Sequence, residues 1–263
     1  MKKTLGLALG SGGSRGVAHI GFLRALEEEG IKPDYIAGCS MGAVVGGCYA
    51  SGMTVEELTE VVQSLKAGDI VDFTPMVLSR MSLFRSKKVY DLLVEHIKVK
   101  TIEEMVIPFK CVATELLSGT LHVFESGNAA MAIQASSTIP LILRPIKHDG
   151  KMYVDGGCLS RVPIRTAKEM GADVVVAVDV VTDVAGPVDD VKNIVAMVAR
   201  IFDIMDAHLT ASNRILESEL CDLLVEPDLK GMSGFEMKEI DRALDAGYRA
   251  GKDCVPKIKE LLK

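Results

Sequence analysis

Gly38-Cys39-Ser40-Met41-Gly42 has the form Gly-x-Ser-x-Gly. This is the pattern of a sharp strand-to-helix turn that lifts a serine hydroxyl clear of the backbone. Tyr35-Ile36-Ala37 before it reads as a short strand, and the small-residue run from Ala43 reads as a helix. Gly38 and Gly42 have a steric reason to lack a side chain, because such an elbow brings neighbouring backbone close. The stretch 35–55 carries no charge and spaces Gly38, Gly42 and Gly46 four apart, as in membrane helix packing. Its five glycines and polar groups make it too weakly apolar for a span, so a buried elbow helix is expected.

Outward from the elbow, strands and helices alternate. Leu5–Leu9 reads as a strand and Val17–Glu29 as an amphipathic helix stopped by Gly30. Thr54-Val55-Glu56-Glu57 is a capping box opening a helix to about Leu65. Helices are also expected over Ser86–Ile97, Asn128–Ser136, Val191–Leu209 and Phe235–Ala250. Strands are expected over Ile107–Thr114, Thr120–Phe124, Lys151–Val154 and Leu220–Val225. Lys147-His148-Asp149-Gly150 reads as a hairpin turn. The valine-rich run Asp173–Val180 suits a strand covered on both faces. This order implies a three-layer α/β/α fold around a mostly parallel sheet, a single domain over 1–263.

The chain has 263 residues, 48% hydrophobic and 25% charged, with net charge −6 and no basic tract, which argues against nucleic acid as a partner. Its six cysteines form no paired-ligand spacing, so reduced thiols and no metal are expected. Lys2-Lys3 before a short apolar stretch is read as leading into the first strand rather than as a leader, and the protein as cytoplasmic.

Gly10-Ser11-Gly12-Gly13-Ser14-Arg15-Gly16 lies between the first strand and first helix. Inward-turned amides at a helix N-terminus make an anion cradle, for a phosphate or for the oxyanion of acyl transfer. A dinucleotide loop needs glycine where Arg15 stands, and the lysine of a P-loop is absent. Asp155-Gly156-Gly157 ends a strand and presents a carboxylate at a sharp turn. Of the five histidines only His208 follows both Ser40 and Asp155, and its place in a long amphipathic helix suits a solvated role better than a catalytic one. A carboxylate acting as base without histidine is the alternative.

These three segments, in this order, resemble the patatin-like phospholipase family and its compact bacterial members. That family combines a G-G-G-x-R/K-G loop, a G-x-S-x-G elbow and a D-G-G/A motif; Ser11 stands here where glycine is usual. Ala135-Ser136-Ser137-Thr138-Ile139-Pro140 extends the likeness. The resemblance implies a hydrolase of lipid acyl esters that needs no cofactor. Ser40 would be the nucleophile and Asp155 its base. Gly12 and Gly13, with Ser14, would be oxyanion donors; Arg15, Gly16, Gly38, Gly42, Gly156 and Gly157 would support the motifs. A regulatory protein keeping the fold, or an acyltransferase using the same acyl-serine, are the competing readings. Segment 74–88, apolar with Arg80, Arg85, Lys87 and Lys88, is the candidate for peripheral membrane contact, the alternative being a packed loop. Oligomeric state has no signature in the sequence.

Overall fold

The computed structural model describes residues 3–65, 87–181, 190–191, 196–197, 200–201, 204–205, 217–232, 234 and 238–263. Segment 74–86 and most of the expected helix Val191–Leu209, His208 included, lie outside the described residues. The described elements in chain order begin with β1 Leu5–Leu9, α1 Ala18–Glu28, β2 Tyr35–Cys39, α2 Met41–Ala50, α3 Val55–Ser64 and α4 Lys87–His96. They continue with β3 Phe109–Glu115, β4 Thr120–Phe124, α5 Ala129–Ser136, β5 Ile146–His148 and β6 Lys151–Asp155. α6 Ile164–Glu169, β7 Val174–Val178, β8 Leu223–Val225 and α7 Ile240–Leu261 complete the order.

The sheet runs β5-β6-β3-β2-β1-β7-β8, with β4 also paired to β3. The pairs β3–β2, β2–β1, β1–β7 and β7–β8 are parallel, and β4, β5 and β6 add antiparallel pairs. Alternation along the strands builds two cores. Leu5, Leu7 and Leu9 join Val174, Val176 and Val178 against Phe22 and Leu23 of α1, Val45 of α2 and Ile133 of α5. On the opposite face Ala8, Ala37, Val175 and Ala177 pack on Ile164 and Ala167 of α6. The mostly parallel sheet with helices on both faces is therefore as expected.

Local signals act where the chemistry demands. Thr54 accepts the Glu57 amide at 3.2 Å, and the Glu57 carboxylate accepts the Thr54 amide at 2.8 Å, so α3 starts on its capping box. Asp149 and Gly150 both have positive φ and close the β5–β6 hairpin. The last helix departs from expectation. It runs past Gly251 and Pro256 to Leu261. At Gly251 a methyl group would lie 2.6 Å from Ala25 Cβ, so this glycine lets α7 lie close on α1 rather than ending it. Burial of Val255 and Ile258 outweighs the cost of an internal proline.

Candidate active site

The elbow forms where β2 passes into α2. Ser40 sits at φ 52° and ψ −121°, a backbone region that costs a non-glycine residue about 1–3 kcal/mol. The surroundings hold it there. Its amide donates to Ser136 Oγ at 3.0 Å, and that hydroxyl donates onward to Val112 O at 2.7 Å. Its carbonyl accepts from Ala43 and Val44 in the first turn of α2. A methyl group on Gly42 would lie 2.1 Å from Leu9 O, so α2 packs directly on the end of β1.

Asp155 reaches the elbow through the sheet. β2 pairs with β3 from Phe109 to Val112, and β6 pairs with β3 from Ala113 to Glu115. β4 pairs along Cys111–Glu115 and so occupies the other edge. Thus β2 and β6 share one edge of β3, running in opposite directions. Cys39 faces Val112 and Asp155 faces Ala113, so the two strand ends meet head to head. Ser40 Oγ donates to Asp155 Oδ2 at 2.5 Å, a length typical of a hydroxyl bound to an ionised carboxylate. The other oxygen, Oδ1, accepts the Gly157 amide at 2.8 Å and lies 3.9 Å from Cys39 Sγ. The Asp155 backbone is pinned by its amide to Thr138 O at 2.8 Å and by Thr114 Oγ1 to its carbonyl at 2.9 Å.

Ser40 and Asp155 are both buried, at 5% and 7% exposure. Burial pushes the Asp155 carboxyl up from 3.8 to about 6, against the opposing pull of the Ser40, Gly157 and Cys39 hydrogen bonds. It is thus a stronger base than a solvated aspartate and is still ionised at neutral pH.

The glycine loop closes the third side. It enters a short 3-10 turn, Gly13–Val17, ahead of α1. A methyl group on Gly157 would lie 3.3 Å from Ser11 Oγ, and one on Gly16 would lie 2.5 Å from Met41 Cβ. Loop, elbow and Asp155 turn are therefore in contact. The Gly12 and Gly13 amides have no hydrogen-bond partner among the described residues. Ser14 differs from expectation: its amide donates to Gly234 O at 2.9 Å and so closes the loop instead. Arg15 Nε donates to Met232 O at 2.8 Å, bracing the same segment.

A cavity of about 260 Å³ opens at this point. Gly13, Ser40 and Met41 line its end at the elbow, and Val44, Val61 and Leu93 are among its apolar walls from α2, α3 and α4. No imidazole hydrogen-bonds Ser40 or Asp155 among the described residues: His19 bonds Gly10 O, His122 meets Phe124 edge-on and lies tilted on Tyr153, His148 lies beside Asp149, and His96, at the end of α4, lines the cavity without a bond to either. Nor do the described residues hold a cluster of metal-ligating side chains.

The family model of patatin-like phospholipases matches residues 7–168, well over half of the chain. The chain belongs to the patatin-like phospholipase family. Among its relatives, a Mycobacterium tuberculosis protein, named as an uncharacterized NTE family protein, is 39% identical over 186 residues, or 71% of this chain and 51% of the relative. Lysophospholipase NTE1 of Debaryomyces hansenii is 32% identical over 195 residues, 72% of this chain and 12% of that protein. The patatin-like chain thus spans about half the mycobacterial relative and a small part of the yeast one. The crystal structure of VipD from Legionella pneumophila superimposes with a TM-score of 0.61 at 14% identity, covering 97% of this chain and 67% of that one, which shows a shared fold.

Reading the sequence by motif passed over Ser136 and Thr138, which hold the Ser40 amide and the Asp155 amide. Their signal was present in Ala135–Pro140, but only as unexplained likeness. The raised Asp155 pKa has a stability consequence. A carboxyl whose folded value lies above its unfolded one costs nothing below the unfolded pKa, and its penalty grows as pH rises through about 6. The full penalty is about 3 kcal/mol. Asp155→Asn should therefore be more stable than wild type at pH 8, by up to that amount, and show no such gain at pH 4. Urea denaturation at both pH values reads this, and an equal change at both would contradict it.

Proposed function

We propose that this protein is a serine hydrolase of lipid acyl esters, working through Ser40 and Asp155. One observation carries this reading: the Ser40 hydroxyl lies 2.5 Å from a buried carboxylate at the mouth of an apolar cavity. Membership of the patatin-like phospholipase family supports a lipid ester as the substrate class.

In this mechanism the scissile carbonyl lies over Ser40 with its acyl chain in the cavity. As Ser40 Oγ attacks, its proton passes to Asp155 Oδ2. The oxyanion accepts hydrogen bonds from the Gly12 and Gly13 amides, each worth about 2.7–4 kcal/mol in the transition state. Asp155 returns the proton to the departing alcohol, leaving an acyl-serine. Water, giving its proton to Asp155, then attacks the acyl carbon; the bond to Ser40 Oγ breaks, Oγ takes the proton back from Asp155, and the fatty acid leaves. The apolar walls exclude bulk water and strengthen each of these interactions.

The cavity wall follows α2 from Met41 to Cys48 and continues onto α3. From Ser40 to Cys48 the helix rises about 12 Å. An extended chain advances about 1.2 Å per backbone bond, so this stretch alone holds roughly ten. One medium or long acyl chain fits that length. The yeast relatives are named lysophospholipases, and a single-chain lysophospholipid is the substrate proposed here.

Wild type should release fatty acid from a lysophospholipid, and Ser40→Ala should lose at least about 1,000-fold in kcat. A fully active Ser40→Ala would refute the mechanism. kcat/KM should rise with pH through a midpoint near 6 and level off by about pH 8, because Asp155 acts ionised. A flat profile from pH 4 to 9 would remove Asp155 as the base. Val44→Phe, which narrows the cavity, should shift preference toward shorter acyl chains by about tenfold or more in the ratio of kcat/KM values. An unchanged chain-length profile would place the acyl group elsewhere.

A further inference from the structure

The Gly10–Ser11 peptide joins β1 to the glycine loop and is gripped from both sides. Its carbonyl accepts from His19 Nε2 at 2.8 Å. Its amide, on Ser11, donates to Arg161 O at 2.9 Å. The preceding amide, on Gly10, donates to Val178 O at 3.0 Å at the end of β7.

Arg161 is itself locked. Its Nη2 donates to Asp179 Oδ2 at 2.6 Å and its Nη1 to Val181 O at 2.8 Å, while Asp179 Oδ1 accepts the Val181 amide at 3.0 Å. Both side chains are almost wholly buried, at 3% and 0% exposure. A buried ion pair of this kind is a poor source of net stability, yet it fixes geometry because neither partner can leave without stranding a charge.

His19 is fully buried. A carbonyl oxygen only accepts, so the imidazole proton must sit on Nε2. Nδ1 is then a bare lone pair with no partner among the described residues. An apolar side chain would fill this space without burying an unsatisfied nitrogen, so packing is not what the imidazole supplies. Its contribution is the single hydrogen bond that holds the Gly10 carbonyl. Burial also lowers its pKa from 6.5 to about 4, and Asp179, the carboxylate whose charge opposes this, is already engaged by Arg161. The imidazole is thus neutral at working pH.

We propose that His19, backed by the Arg161–Asp179 pair, is a positioning residue that locks the Gly10–Ser11 peptide and so aims the Gly12 and Gly13 amides at the oxyanion. This rests on the hydrolase reading above. A turn of that peptide plane would swing the two amides, and a misplacement of about 1 Å costs about 100-fold in rate.

The test compares His19→Leu, which fills the space without a donor, with His19→Gln, whose amide nitrogen reaches the Nε2 position. Substrate is a lysophospholipid, and Ser40 is labelled with a fluorophosphonate in parallel. His19→Leu should lose about 10- to 100-fold in kcat, with KM and the pH midpoint unchanged. His19→Gln should stay within about threefold of wild type. His19→Leu within about twofold of wild type, or equal losses in both variants, would overturn the proposal. Wild type that neither turns over nor labels would instead defeat the hydrolase reading. Should His19→Leu not fold, His19→Asn replaces it, since its amide reaches only the Nδ1 position and should be as impaired; activity equal to His19→Gln would overturn the proposal. Nitrogen-15 NMR of the wild-type imidazole gives an independent reading. It should show the Nε2–H tautomer at neutral pH, and an Nδ1–H tautomer would contradict the proposal.

Discussion

The edge of β3 that carries both β2 and β6 is the constraint on which the site depends. Two strands arriving from opposite directions on one edge must stop where they meet. Their last residues are Cys39 and Asp155, facing Val112 and Ala113. The meeting point is buried, so the carboxylate can compensate its lost hydration only with nearby donors. Those donors are the Ser40 hydroxyl, the Gly157 amide and, more weakly, the Cys39 thiol. The close contact of hydroxyl and carboxylate follows from sheet topology, and the raised basicity of Asp155 follows from the same burial.

The remaining parts support that junction. Ser136 and Thr138, from the end of α5, hold the backbones of Ser40 and Asp155 in register. Gly42 lets α2 press on β1, which keeps the glycine loop beside the elbow. Several of these features cost stability: a serine at positive φ, a buried carboxylate, a buried imidazole with one unpaired nitrogen. The two cores flanking the sheet supply what offsets them. Strain and buried polarity concentrated at one end of a sheet preorganise the groups held there, which is what the proposed chemistry needs.

Much of this was legible in the residues because the signals are local. Gly-x-Ser-x-Gly reports a steric requirement confined to five positions. The Thr54 capping box and the Asp149-Gly150 turn are equally self-contained. Alternating strands and helices were enough to give the layered fold. What escaped was non-local. Ser40 and Asp155 are 115 positions apart, and no spacing rule says that β6 runs antiparallel into the space beyond β2. Ser14 looked like a third oxyanion donor because the partner of its amide, Gly234, is more than two hundred residues away. The last helix was expected to end at Ala250, and its run on to Leu261 rests on the close approach of α1 at Gly251. His19 drew no reading of its own from the sequence because its bond to Gly10 O exists only in three dimensions.

The central claim is that a buried aspartate, unaided by histidine, is basic enough to activate Ser40. The most direct measurement is the titration of the Asp155 carboxyl carbon by carbon-13 NMR, with Asp155→Asn to assign the signal. This account predicts a midpoint near pH 6. A midpoint at or below about 4, the value of a solvated aspartate, would contradict it.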